Sequence, residues 1–238
     1  MGRKWNNIKY AKASKDANRS KIYAKFGKEI YMAAKSDPDP ESNRQLKAVL
    51  DKAKTYNVTK EIIDRAINKA KSGVDESYEH IRYEGYGPAG SAIIVDTLTD
   101  NVNRTVADVR AAFNKAGGNL GVNGSVAFMF TPSSVIGIAK HDDEAMLELF
   151  IENDIDVHDI EQSDNQTLIY GAVEDFSAIS NALKANGIEE FEVAEISMLA
   201  NDQINLATDD FEKFEKLIDA LEELDDVQEV YHNVELED

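Results

Sequence analysis

The chain has 238 residues, of which 42% are hydrophobic and 30% charged, the composition of a globular protein with one large or two to three small domains. It holds no cysteine, which excludes a disulfide framework, a thiolate metal site and a cysteine nucleophile. Its formal net charge of −19 argues against a polyanion partner on average, but the average hides a division.

Residues 1–72 carry 18 Lys/Arg and 8 Asp/Glu, a balance of +10, whereas residues 73–238 have a balance of −29. The positive charge is densest from Gly2 to Lys28, with nine Lys/Arg against the single acid Asp16. Trp5, Tyr10, Tyr23 and Phe26 are interleaved with these cations. Long cationic stems neutralise phosphates and aromatic faces stack on bases, so this mixture predicts a nucleic-acid-binding segment. The plainer alternative is a solvated basic helix face. Neither a run of about 20 apolar residues nor a signal-peptide core is found, so the expected location is the cytoplasm, with no membrane partner.

In chain order, Ala17, Ile22, Phe26, Ile30 and Ala33 follow the helical period and predict a helix over 14–35. Pro38 and Pro40, set among acids, stop it. A second helix is read from Leu46, Val49, Leu50 and Ala53, and a third from Ile62, Ile63, Ala66, Ile67 and Ala70, with Thr59 as N-cap and Gly73 as its stop. A linker over 73–80 follows. The spacing then predicts a strand at 91–96, a helix at 102–116 and a strand at 126–130. Strand 135–139, helix 142–153, strands 156–161 and 166–173, helix 176–186 and strand 191–198 make a βαββαβ unit, the ferredoxin-like order. Strand 203–207, helix 210–224 and strand 227–234 complete a second such unit begun at 91. The expected fold class is therefore α+β: a basic helical domain (1–73), an α/β domain (80–133 plus 201–238), and a ferredoxin-like domain (134–200) inserted into it.

Gly85-Tyr86-Gly87-Pro88-Ala89-Gly90 spells G-x-G-x-x-G, but it precedes a strand rather than opening a helix, so a tight turn is the better reading than a dinucleotide site. The glycines of 117–124 lack the lysine of a Walker loop. They cap a helix, although free amides there could hold a phosphate with help from Arg104. His80, His141, His158 and His232 show no ligand spacing, and acids are too abundant to nominate a catalytic pair. No metal, cofactor, small-molecule substrate or catalytic residue is predicted, and the expectation is a protein that is not an enzyme.

Five stretches together point further: Gly2-Arg3-Lys4-Trp5-Asn6-Asn7-Ile8-Lys9, Tyr83 to Gly90, Asp100-Asn101-Val102-Asn103-Arg104-Thr105, Gly117 to Phe130, and Val227-Gln228-Glu229-Val230-Tyr231-His232-Asn233. In this order they resemble the YebC/PmpR family over essentially the whole chain, and the Gly-Arg-Lys-Trp opening is more similar to its YeeN branch. The resemblance implies a helical domain followed by two α/β domains in a cytoplasmic bacterial regulator. Family members are described as promoter-binding transcriptional regulators, while relatives that include a mitochondrial translational activator act on translation. The expected partner is thus nucleic acid, promoter DNA or ribosomal RNA on the ribosome. Arg3, Lys4, Lys9, Lys12, Lys15, Arg19, Lys21 and Lys25 are the expected phosphate contacts with Arg104 assisting, and Trp5 and Tyr10 are the expected stacking residues. A further alternative is an adaptor whose acidic face captures a basic protein.

Overall fold

A computed structural model describes residues 19–73, 76–162 and 165–236. Three helices come first: α1 (Arg19–Ser36), α2 (Arg44–Thr55) and α3 (Lys60–Lys71). Asn43 fixes the turn between the first two. Its side-chain oxygen accepts the Leu46 N–H as an N-cap, while its amide nitrogen donates to the carbonyls of Ala33 and Asp37. Thr59 stands at the N-cap of α3 without a side-chain cap bond, and Gly73 follows the helix with φ of +73°.

Two four-stranded sheets follow. The first contains β1 (Glu79–Tyr86), β2 (Ala92–Thr99), β3 (Asn119–Leu120) and β8 (Val227–His232), in the order β3-β1-β2-β8 with every paired neighbour antiparallel. Helices α4 (Val102–Lys115) and α7 (Thr208–Glu222) supply its apolar cover. Ile93, Val95, Val109, Phe113, Phe214, Leu217 and Leu221 form that core. The second sheet contains β4 (Phe130–Ala139), β5 (Val157–Gln162), β6 (Gln166–Gly171) and β7 (Val193–Ala200), in the order β5-β6-β4-β7, with helices α5 (Asp143–Glu152) and α6 (Phe176–Ala185). This order, with the βαββαβ sequence, is the ferredoxin-like arrangement.

The described residues divide into two compact units. One joins 29–73 to 132–198, and the other joins 19–28 and 76–131 to 199–236. In the first unit, α2 lies against α6: Ala48 packs on the cluster of Ile136, Ile169, Phe150 and Ile179, and Lys184 reaches the buried Asp51 at 3.3 Å.

The expected class holds: an N-terminal helical region precedes two antiparallel four-stranded sheets. Strand membership in the first sheet differs from the sequence reading in four places, one of them the short β3 at 119–120, where only a glycine-rich helix cap was expected. β1 occupies 79–86, where a linker and a glycine turn were expected, and it pairs along its whole length with β2. Residues 126–129 are not a strand: Ala127–Met129 is a single 3-10 turn, and Phe130 opens β4 of the second sheet. Residues 203–207 contribute only an isolated parallel bridge between Ile204 and Val234.

Candidate nucleic-acid interface

Arg3, Lys4, Trp5, Lys9, Tyr10, Lys12 and Lys15 lie outside the described residues, as do residues 14–18 of the expected first helix. Arg19 is exposed at the start of α1. Lys21, Lys25 and Lys28 recur at helical spacing along one face of α1, and all three reach the C-terminal end of α7. Lys21 donates to the carbonyl and the carboxylate of Glu223. Lys25 donates to the Glu222 carbonyl at 3.3 Å, and Lys28 to the Asp225 carbonyl at 3.1 Å. The last carbonyls of a helix have no partner within it and carry partial negative charge, so ammonium groups are favoured there.

Asp226, just beyond, is a buried hub. Its Oδ1 accepts from Lys28 at 3.3 Å; its Oδ2 accepts from Arg104 Nε at 3.2 Å and Nη2 at 2.5 Å, and lies 2.8 Å from the Thr105 hydroxyl and 3.1 Å from that of Thr99. Burial pushes this carboxyl up, but the hydrogen bonds from Arg104, Thr105 and Lys28 outweigh it and hold Asp226 below its ordinary range. Arg104 also donates to Asp100 at 2.8 Å, and these hydrogen bonds raise the guanidinium further. Asn101 caps α4 by accepting the Arg104 N–H. The 100–105 motif therefore builds the α4 N-terminus as a socket for Asp226, and it commits Arg104 to two carboxylates.

The glycine-rich stretch 117–124 is organised around a second buried acid. Glu84, on β1, is 2% exposed, and its carboxylate accepts the backbone N–H groups of Gly124 at 2.7 Å, Val126 at 2.8 Å and Ala127 at 2.7 Å. Burial pushes this carboxyl up, and the three amides more than reverse that and hold it down. Of the glycine amides read from sequence as a potential phosphate cradle, that of Gly124 is taken by this carboxylate, and those of Gly117, Gly118 and Gly121 donate to the backbone carbonyls of Asn114, Phe113 and Glu84. Close approach explains the neighbouring glycine: a Cβ on Gly118 would lie 2.5 Å from the Tyr86 carbonyl oxygen. Gly85 and Tyr86 end β1, and Gly87 to Gly90 make the turn into β2, closed by the Gly87 N–H donating to the Ser91 carbonyl.

Sequence reasoning did not single out Glu84 or Asp226, because a lone acid among 45 gives no signal of burial. A cleft of about 420 Å³ in the other unit is lined in part by Arg44 and Lys52, but also by Glu29, Glu174 and Glu195, a mixture unsuited to a phosphate chain. Among the described residues no three His, Asp or Glu side chains are grouped to hold a metal ion, and no described helix is long and apolar enough to cross a membrane.

A helical N-terminus followed by two antiparallel sheets is also the fold of a conserved hypothetical protein from Aquifex aeolicus. Its crystal structure matches with a TM-score of 0.80 and 35% sequence identity, over 94% of this chain and 93% of that one. The TACO1/YebC protein N-terminal domain model matches residues 3–73, and the TACO1/YebC second and third domain model, which bears a transcription-regulator label, matches residues 78–234. The chain belongs to the transcription-regulator-like TACO1/YebC family.

Proposed function

We propose that this protein is a non-enzymatic, cytoplasmic regulator of gene expression that binds nucleic acid through its positively charged N-terminal segment. The observation that carries the reading is the charge division, +10 over residues 1–72 against −29 over the rest. Arg3, Lys4, Lys9, Lys12, Lys15 and Arg19 are the proposed phosphate contacts, with Trp5 stacking. Lys21, Lys25 and Arg104 hold the α7 terminus and Asp226, so their part is to fix the base of the segment. The acidic remainder repels phosphate and orients the basic end toward it. The transcription-regulator label supports promoter DNA as the target.

A second reading, a ribosome-associated translation factor binding ribosomal RNA, is favoured by one observation. Phe128 is 71% exposed on a loop whose backbone is tightly held, a feature of use to unpaired bases rather than to a closed duplex. Binding of full-length protein to duplex DNA and to structured RNA, titrated across salt concentrations, tests both. Each phosphate neutralised contributes a log–log slope of about −0.9 on duplex DNA and about −0.7 on single strands. Replacing Arg3, Lys4, Lys9, Lys12 and Lys15 with Gln should flatten that slope by about 3 to 5. A wild-type slope near zero on both ligands would overturn the proposal.

A further inference from the structure

The loop from Gly121 to Met129 spends an unusual share of the fold's polar groups on holding apolar side chains out in solvent. Val122 is 77% exposed and Phe128 71% exposed. An exposed loop with this much apolar surface would ordinarily collapse onto its own core. Here its backbone is pinned on two sides. From β1, Glu84 takes three amides of the loop, the Gly121 N–H donates to the Glu84 carbonyl at 2.7 Å, and the Tyr86 hydroxyl donates to the Ser125 carbonyl at 2.7 Å. From the chain after β7, the Asn201 side chain donates to the Phe128 carbonyl at 3.2 Å, and the Asn201 N–H donates to the Met129 carbonyl at 2.9 Å. Phe128 is therefore displayed from a fixed support with little conformational freedom left to lose on binding.

The charge around it in sequence is equally selective. With 45 acids in 238 residues, acids fall about one in five, yet residues 109–141 contain none. The same stretch has Arg110 and Lys115, both exposed on α4. The nearest acid the loop touches, Glu84, is buried with its charge turned onto three amides. The stretch itself therefore offers a phosphate-bearing ligand no acid of its own, although the exposed Asp202 follows the bracing Asn201.

We propose that Phe128 is a stacking platform for an unpaired base of single-stranded RNA, presented by the Glu84-braced loop. The proposal rests on the nucleic-acid reading above. Every base has a π-face that an aromatic ring can cover without reading sequence, and RNA loops offer such faces where a closed duplex hides them. Because Phe128 is mostly solvated, replacing it leaves the core intact.

The test uses full-length protein and two fluorescently labelled RNAs: a stem with about eight unpaired loop nucleotides, and the same stem as a blunt duplex. Phe128→Ala should weaken stem-loop binding about five- to a hundredfold, the worth of one base–aromatic stack. Duplex binding, melting temperature and salt slope should stay as in the wild type, and Phe128→Trp should restore affinity. Wild-type affinity of Phe128→Ala for the stem-loop, with the steep salt slope intact, overturns the stacking role and leaves the N-terminal binding reading standing. Equal weakening on stem-loop and duplex overturns it too, as does loss of a protein partner without loss of RNA affinity. Failure of the wild type to bind either RNA overturns both the stacking role and the RNA form of the function.

Discussion

Arg104 at the start of α4 and Asp226 at the end of the α7–β8 turn are joined by two hydrogen bonds, at 3.2 and 2.5 Å, across 122 residues of sequence. Asp226 is 6% exposed, and the hydroxyls of Thr99 and Thr105 face the same oxygen. Removing the acid takes an acceptor from two buried hydroxyls and a carboxylate from Arg104 and Lys28, which keep Asp100 and the Asp225 carbonyl. Asp226→Ala is therefore expected to destabilise the protein by about 1 to 3 kcal/mol, read as a lower midpoint in urea denaturation at neutral pH. Arg104→Ala, at a half-exposed position, should lose less, and the double variant should lose less than the sum of the two.

Glu84 predicts a local as well as a global effect. In Glu84→Gln one of the two acceptor oxygens becomes an NH2 group, which cannot accept the backbone N–H facing it. Stability should fall by about 1 to 3 kcal/mol. Amide exchange at Gly124, Val126 and Ala127 should accelerate well beyond that of β2, which identifies loosening of the loop rather than of the sheet.

Acid titrates the fold in two stages. Burial pushes the His232 imidazole, packed edge-on to Phe214 with ring centroids 4.8 Å apart, down to about 4. The unfolded chain takes up that proton near pH 6.5, so between about 6.5 and 4 it binds more protons than the folded one, and stability falls as pH falls. At most about 3 kcal/mol is lost in this window. Glu84 and Asp226 are shifted down instead, so their contribution is present above the unfolded carboxyl range and is lost as pH drops through their folded values. Urea midpoints of His232→Leu should be nearly flat from pH 6.5 to 4.5 where those of the wild type decline.

Gly85 sits where β1 passes under Phe113. A Cβ there would lie 2.6 Å from the Phe113 ring and 2.7 Å from the Asn119 carbonyl oxygen. Gly85→Ala should separate β3 from β1 and lower stability by about 2 kcal/mol or more. Gly117→Ala, with positive φ but open space around it, should lose only about 1 kcal/mol in a thermal melt.

The helices and the second sheet were legible because their apolar pattern is strong, as with Ile62, Ala66 and Ile67 for α3, or Phe214, Leu217 and Leu221 for α7. β1 was missed because Glu79, His80, Arg82 and Glu84 make its sequence read as a loop, and the one buried charge among them looks like the rest until its three amide donors are seen. The same acid explains the other error. Val126-Ala127-Phe128-Met129-Phe130 has a strand's composition, but Glu84 claims the amides of Val126 and Ala127 that a ladder would need. Ile204 and Leu206 likewise have a strand's apolar alternation, yet they pack onto the core edge with a single bridge to Val234. For the interface, sequence located the cations but not their acidic partners, since the α7 terminus is nearly 200 residues from Lys21 and Lys25.

The central claim, that the basic N-terminal segment holds nucleic acid, is tested most directly in cells. Protein cross-linked to nucleic acid is recovered, DNA and RNA fragments are sequenced together, and the wild type is compared with the variant carrying Gln at positions 3, 4, 9, 12 and 15. The account predicts abundant, localised recovery with the wild type, at promoters or on ribosomal RNA, and its loss in the variant. Equal recovery from both proteins, or none from either, would contradict it.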